Sequence, residues 1–295
     1  MQAVGGTTRV IGVFGDPVQH SLSPAMHNAA LAHLGLDYVY VPFHVPQGRL
    51  AAACEGLRAL QVRGTNVTIP HKVEIQAHLD ARSQEAELIG AVNTVVNEDG
   101  RLVGYNTDGA GFVRSLREEA AFAPDGRRVL LLGAGGAAKA IAVGLALAGA
   151  GEIVIANRTL AKAEAIAKVV QSAASTRARA LGVAQWPAPD DTALRAAAAE
   201  AELIVNATSL GMHAGAGEPP ILPAAWLQPD HCVCDIVYTP PETPLLAAAK
   251  AAGARALPGI GMLIHQGAIA FEHFTGQPAP VAVMRAALLA ALGRH

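Results

Sequence analysis

Strands that alternate with helices from Arg9 onward predict an α/β fold built from parallel βαβ units. Two further observations divide that fold in two. A glycine-rich turn, Gly133-Ala134-Gly135-Gly136-Ala137, lies between a solid apolar strand and a helix near the middle of the chain, and a second α/β run starts there. The 295 residues suffice for two domains of ordinary size. With 52% hydrophobic and only 16% charged residues, below the usual ~25%, the chain can bury a large core.

The first strand covers 9–14 and is closed by Gly15-Asp16-Pro17. The loop His20-Ser21-Leu22-Ser23-Pro24 then leads into a helix over 25–34. Ser23 suits a helix N-cap with Pro24 in the first turn. Two hydroxyls beside a helix N-terminus equally suit a carboxylate, so cap and anion site both stand. A strand over 38–45, a helix over 47–60 and a strand over 64–69 follow. In Asn66-Val67-Thr68-Ile69-Pro70-His71-Lys72 the β-branched residues suit a strand, and Pro70 stops it. Asn66 and Thr68, two apart, share a face, and Lys72 falls at the start of a helix predicted over 71–79. An amide, a hydroxyl and an ammonium converging on a strand end point to a site. A lysine merely solvated on a helix is the alternative.

A short helix over 84–88 precedes a hairpin, 91–96 and 101–106, around the turn Asn97-Glu98-Asp99-Gly100. Asn106-Thr107-Asp108-Gly109 ends the hairpin and heads a helix over 110–121. Asp108 is either a helix cap or a second polar group at a strand end.

After Pro124-Asp125-Gly126 comes an apolar strand over 128–132, the glycine turn, a helix to 148 and a strand over 152–156. That order is the dinucleotide-binding, Rossmann-like unit. Gly133 permits the tight turn, Gly135 lets backbone approach a pyrophosphate, and Ala138 packs helix on sheet. An enzyme that uses NAD wants a carboxylate at the end of the second strand; here Asn157-Arg158-Thr159 stand, with Lys162 one turn on. A guanidinium, a hydroxyl and an ammonium suit a 2′-phosphate, so NADP is the expected cofactor. Residues 171–189 are only loosely patterned. Strands follow over 202–206, running into Asn206-Ala207-Thr208-Ser209-Leu210-Gly211-Met212, and over 233–237, closed by Tyr238-Thr239-Pro240-Pro241. A helix over 243–252, a strand over 254–257, an apolar helix over 260–274 carrying Gln266, and a last helix over 281–292 complete the chain. Gln266 needs a partner, structural or ligand.

The net charge of −2 and the absence of a basic run argue against nucleic acid. Eleven histidines without ligand spacing give no metal site, and Cys232 and Cys234 on one strand face are too close for a chelate. Three cysteines, an odd number, fit a reducing cytoplasm. The first nine residues lack the pattern of a signal peptide. The longest uncharged run in the most hydrophobic region, 140–151, falls short of the ~20 residues of a membrane span.

Nine motifs in unbroken order resemble the shikimate dehydrogenase family: SLSP, NVTIPHK, GAVNT, NTDG, GAGGA, NRT, NATSLGM, DIVY and GMLIHQ. The resemblance implies a two-domain α/β protein, with 1–107 and 259–295 as the substrate and catalytic domain and 108–258 as the NADP-binding domain. It implies reversible reduction of 3-dehydroshikimate to shikimate with NADPH, on the route to chorismate and the aromatic amino acids. Ser21 and Ser23 would hold the substrate carboxylate, Thr68, Asn93, Asp108 and Gln266 its ring hydroxyls, with Tyr238 in contact. Lys72 would be the catalytic acid/base, paired with Asp108. Gly133, Ala134, Gly135, Gly136 and Ala137 would take the pyrophosphate, and Asn157, Arg158, Thr159 and Lys162 the 2′-phosphate. Ile236, Gly259 and Met212 match positions around the nicotinamide, and Thr208 joins the cofactor set. Lys162 stands where many relatives have arginine, keeping the charge but losing the planar fork. Quinate-preferring relatives often carry threonine at the position of Ser23 and an acid at that of Arg158, so shikimate is favoured over quinate or an amino-substituted shikimate. A non-catalytic NADP-binding regulator and a folate dehydrogenase are the rivals from further off, and a homodimer is one assembly open to the chain.

Overall fold

The computed structural model describes residues 4–212 and 217–293, so part of the opening segment on which the signal-peptide reading rests lies outside it. The described chain forms two compact units, Met1–Thr107 with Ile264–His295, and Asp108–Leu263.

The first unit runs β1 (Arg9–Gly15), α1 (Ser23–His33), β2 (Tyr38–His44), α2 (Leu50–Ala59), β3 (Gly64–Val67), β4 (Ala81–Arg82), α3 (Gln84–Ile89), β5 (Thr94–Glu98) and β6 (Arg101–Tyr105). Its sheet has the order β2-β1-β3-β5-β6-β4. The βαβ crossovers make β2, β1 and β3 parallel, while the expected hairpin makes β5 antiparallel to β3 and β6. The sheet is therefore mixed, as a two-strand hairpin inserted into a parallel set requires. One core joins Phe14, Val67, Val95 and Leu102 to Leu50, Cys54 and Leu57 of α2 and to Ile75. The predicted helix over 71–79 is instead a turn followed by a 3₁₀ segment, Glu74–His78. Of that segment only Ile75 is buried, and one apolar contact does not offset the cost of nucleating an α-helix.

The second unit runs α4 (Asp108–Ala120), β7 (Arg128–Leu132), α5 (Gly136–Leu147), β8 (Glu152–Asn157), α6 (Leu160–Ala173), β9 (Arg177–Gly182), α7 (Thr192–Glu200), β10 (Leu203–Asn206), β11 (Cys232–Asp235), α8 (Pro244–Ala251) and β12 (Arg255–Pro258). All six strands are parallel in the order β12-β11-β10-β7-β8-β9, the doubly wound arrangement with its switch point between β7 and β10. Strand alternation makes two cores. Val129, Leu131, Ile153 and Ile155 pack with α4, α5 and α6, whereas Leu130, Leu132, Val154 and Ile204 pack with Leu194, Trp226 and Leu245. The loosely patterned stretch contains β9, and α7 follows it. As an edge strand β9 has no fully buried residue, so no apolar run announces it. Asp191 caps α7 by accepting from Leu194 N (2.9 Å).

Helices α9 (Ile260–Thr275) and α10 (Val281–Leu292) close the chain, and the division between the units falls within α9. No helix among the described residues is long and apolar enough to cross a membrane. No group of three or more metal-ligating side chains occurs among the described residues.

Candidate active site

In the first unit backbone bonds draw three of the expected site residues into one corner. Thr68 N donates to Phe14 O (2.9 Å), which continues the strand pairing past β3. Its methyl lies on Gly15, where an added Cβ would come within 2.7 Å of Thr68 Cγ2. Val67 N donates to Asn93 O (2.8 Å), and Val92 N donates to the carbonyl of Lys72 (2.8 Å). Thr68, Lys72 and Asn93 are thus fixed through their main chain. His71 adds an anchor: it is fully buried, with Nε2 2.6 Å from Val45 O. Lys72 itself is half-buried. The Asn93 carboxamide is oriented by Thr107, whose N–H donates to Oδ1 (2.9 Å) and whose hydroxyl accepts from Nδ2 (3.0 Å).

Asn66 does not join this corner as expected. It is buried, accepts from Tyr40 Oη (2.8 Å) and donates to Thr94 Oγ1 (3.0 Å), so its amide is spent beneath the site. Ser23 is not a cap either. It is the first residue of α1, preceded by Leu22 in helical backbone (φ −85°, ψ −10°), and no side chain caps the helix. Cap geometry needs an extended residue there. Ser21 Oγ instead accepts, at 3.4 Å, from Ser23 N. Both hydroxyls are half-buried. Gln266 is half-buried on α9, next to Gly267, where a Cβ would collide with Met26 of α1.

In the second unit Asp108 heads α4, two residues before the expected start. Gly109 behind it touches α5 so closely that a Cβ on Gly144 would meet the Gly109 backbone at 2.7 Å. That contact of small residues packs α4 closely on α5 just behind Asp108. Gly133 has φ +107°, the left-handed region a side chain avoids, and a Cβ there would lie 3.0 Å from Ala207 O and Thr208 Cγ2. Gly135 and Gly136 are exposed at the start of α5 with open space around them. A backbone cradle at a helix N-terminus fits a pyrophosphate. At the end of β8, Asn157 Nδ2 donates to Thr159 O (3.0 Å), while the Thr159 hydroxyl makes no cap. Arg158 and Lys162 are exposed, and neither side chain bonds to a described residue. Two uncommitted cations with a free hydroxyl fit a ribose phosphate. Ile236 is half-buried, with its carbonyl against Gly259, where no Cβ could be placed; Met212 and Tyr238 are exposed.

One residue of this region was not singled out from the sequence. Asp235, only 1% exposed at the end of β11, accepts from Asn206 Nδ2 (3.0 Å), Val237 N (3.0 Å) and Thr243 Oγ1 (2.7 Å). Burial pushes its carboxyl pKa up, against the opposing pull of those donors. Asn206 in turn accepts from Thr208 N and Oγ1 (3.1 and 2.7 Å). The loops bearing Thr208 and Tyr238 are therefore tied through one buried carboxylate. An acid inside an otherwise apolar strand was the available signal.

A mixed-sheet unit with a locked polar corner and a doubly wound unit with a phosphate cradle define a two-domain, dinucleotide-dependent oxidoreductase. The model of the shikimate dehydrogenase substrate binding domain matches residues 13–95, that of shikimate / quinate 5-dehydrogenase 117–212, and that of the shikimate 5′-dehydrogenase C-terminal domain 259–289. The chain belongs to the shikimate dehydrogenase family, as its nine motifs led one to expect. It is 49% identical over 287 residues to the shikimate dehydrogenase (NADP(+)) of Methanopyrus kandleri, covering 97% of each chain. Among solved structures, shikimate 5-dehydrogenase of Listeria monocytogenes in complex with shikimate and NAD superposes with a TM-score of 0.91 at 42% identity, covering 97% of this chain and 98% of that one. The ligand-free 5-ketofructose reductase of a Gluconobacter strain superposes with a TM-score of 0.89 at 38% identity, covering 97% and 99%.

Proposed function

We propose that the protein is an NADP-dependent shikimate dehydrogenase that reversibly reduces 3-dehydroshikimate to shikimate. The observation that carries the reading is the corner in which backbone bonds hold Thr68, Lys72 and Asn93 together. Residues 1–107 with 259–295 would bind substrate and 108–258 the cofactor. Ser21 and Ser23 take the carboxylate; Thr68, Asn93, Asp108, Gln266 and Tyr238 take the ring. The cradle 133–137 holds the pyrophosphate and Asn157, Arg158, Thr159 and Lys162 the 2′-phosphate. Met212, Ile236 and Gly259 flank the nicotinamide, and Thr208 joins the cofactor set.

NADPH, when bound, supplies the hydride that reduces the ketone carbon. The ketone oxygen then needs a proton, and Lys72 donates it from Nζ. Asp108 orients that ammonium and binds the adjoining hydroxyl, and in the reverse direction Lys72 takes the proton back. Serine hydroxyls in place of an arginine leave specificity to several hydrogen bonds acting together. A cytoplasmic location, supported by three buried free thiols, and a homodimeric assembly go with this reading.

The test is a turnover panel of shikimate, quinate, aminoshikimate and fructose (the alcohol of 5-ketofructose), each with NADP and NAD. Shikimate with NADP should give the highest kcat/KM, and preference for any other pair overturns the assignment. Arg158→Asp belongs in the same panel. A charge-assisted contact is worth ~1.5–3 kcal/mol, so the KM for NADP should rise roughly ten- to a hundredfold. An unchanged value would remove Arg158 from the cofactor site.

Ser21→Ala and Ser23→Ala should each raise the KM for shikimate and leave that for NADP alone. Since neither hydroxyl caps α1 strongly, each should alter stability by less than ~1 kcal/mol. Equal destabilisation by both, with shikimate binding intact, would return the loop to a purely structural role.

A further inference from the structure

We infer that Tyr40 and Asn66 are positioning residues for substrate, holding α1, the helix that Ser23 begins, at a fixed distance from Asn93 through a buried row of hydrogen bonds. This rests on the carboxylate and ring roles proposed above for Ser23 and Asn93.

The row has one direction. Asn66 Nδ2 donates to Asn93 O (3.3 Å) as well as to Thr94 Oγ1. A main-chain carbonyl can only accept, so the NH₂ end of Asn66 is fixed there and its Oδ1 faces Tyr40. That oxygen cannot donate, so the phenol does, at 2.8 Å, and its only proton is spent. Thr94 Oγ1, accepting from Asn66, passes its own proton to Asn93 Oδ1 (3.0 Å). Burial raises the Tyr40 pKa strongly, and Ser23 pulls it back.

Tyr40 is well placed to carry this load. Its main chain pairs on both sides with the Asn28 carboxamide of α1 (2.8 and 2.9 Å), so the helix that Ser23 begins hangs on this strand residue. Its ring stacks on His27, with centroids 4.3 Å apart and planes within 8°. Burial lowers the His27 pKa to about 3, so the stack is neutral. Ser23, at the head of the helix the row anchors, and Asn93, at its far end, would contact substrate, while Tyr40 and Asn66 between them are buried.

Tyr40→Phe keeps the ring and the stack and removes the bond. Loss of a buried bond that leaves the Asn66 carboxamide orphaned should raise the KM for shikimate about tenfold, with kcat and the KM for NADP within about twofold. The rise should shrink for shikimate methyl ester, which carries no carboxylate charge. A merely structural role would lower the melting temperature and move no KM selectively. If the single variant does not fold, Tyr40→Phe with Asn66→Leu, which removes both partners, is measured instead and should show the same KM rise. An unchanged KM, or equal rises for shikimate and NADP, overturns the inference. Ser21→Ala, measured alongside, separates the two failures. If it too leaves the shikimate KM unchanged, the carboxylate reading has failed; if it alone raises that KM, only the positioning role has.

Discussion

Lys72→Met should lower kcat by about 10²–10⁴-fold, the usual contribution of a positioned acid–base group, while shikimate binding should weaken far less. Methionine keeps the length of the side chain and removes the proton and the charge. The main chain of residue 72 accepts from Val92 N whatever its side chain is, so Thr68 and Asn93 keep their places in the variant. Binding therefore loses one hydrogen bond among several. On the roles proposed above, Asp108→Asn should lower kcat as well, and the double variant should be less than additive, because a donor and the group that orients it act as a unit. The measurement is steady-state turnover with equilibrium binding of shikimate for the three variants. Near-normal kcat in Lys72→Met, with binding weakened a hundredfold, would make Lys72 a binding residue and require another proton donor.

What the sequence disclosed and what it hid follow from the range of the interactions. The unit β7–α5–β8 could be read from its residues because its signals are local: an apolar run, Gly133 forced to positive φ, and small residues at a helix start. The exposure of Arg158 and Lys162 at the end of β8 and the start of α6 was legible from the strand-to-helix order around Asn157-Arg158-Thr159. Asn66 was misread because strand alternation tells which residues share a face and not what covers that face. Tyr40, twenty-six residues earlier, is what covers it. For Ser23 the sequence left cap and anion site open, because serine before proline is compatible with both, and the backbone of Leu22 removes the cap. β9 was missed because an edge strand has one neighbour, here β8, and need not be apolar.

Asp235 failed to stand out for the same reason, since its partner Asn206 lies on another strand and meets it only through the parallel pairing of β10 with β11, while Thr243 reaches it from the N-terminus of α8. Its replacement by alanine should be among the most damaging in the second unit. Asp235→Ala leaves the Asn206 amide, the Val237 N–H and the Thr243 hydroxyl without their acceptor, and orphaned buried donors cost roughly 1–3 kcal/mol each. A net loss of about 3 kcal/mol corresponds to a fall in melting temperature of roughly 6–12 °C for a domain of this size. The loops bearing Thr208, Met212, Ile236 and Tyr238 lose their common tie, so the KM for NADP should rise in whatever enzyme remains folded. Asp235→Asn is the informative contrast. Oδ1 still accepts from Asn206 and Val237, and the new NH₂ faces Thr243, whose hydroxyl can turn to accept. The sign of the pH effect follows from burial. The folded carboxyl holds its proton above the ordinary 3.8, so the folded state binds more protons than the unfolded one between those two values. The carboxyl's contribution to stability is therefore fullest below 3.8 and falls as pH rises through the folded pKa. The asparagine does not titrate, so Asp235→Asn should gain on the wild type as pH increases from acid to neutral. Denaturant unfolding of the two proteins from pH 4 to 8 measures the difference. A difference that moves the opposite way would mean that the three donors, and not burial, govern this carboxylate.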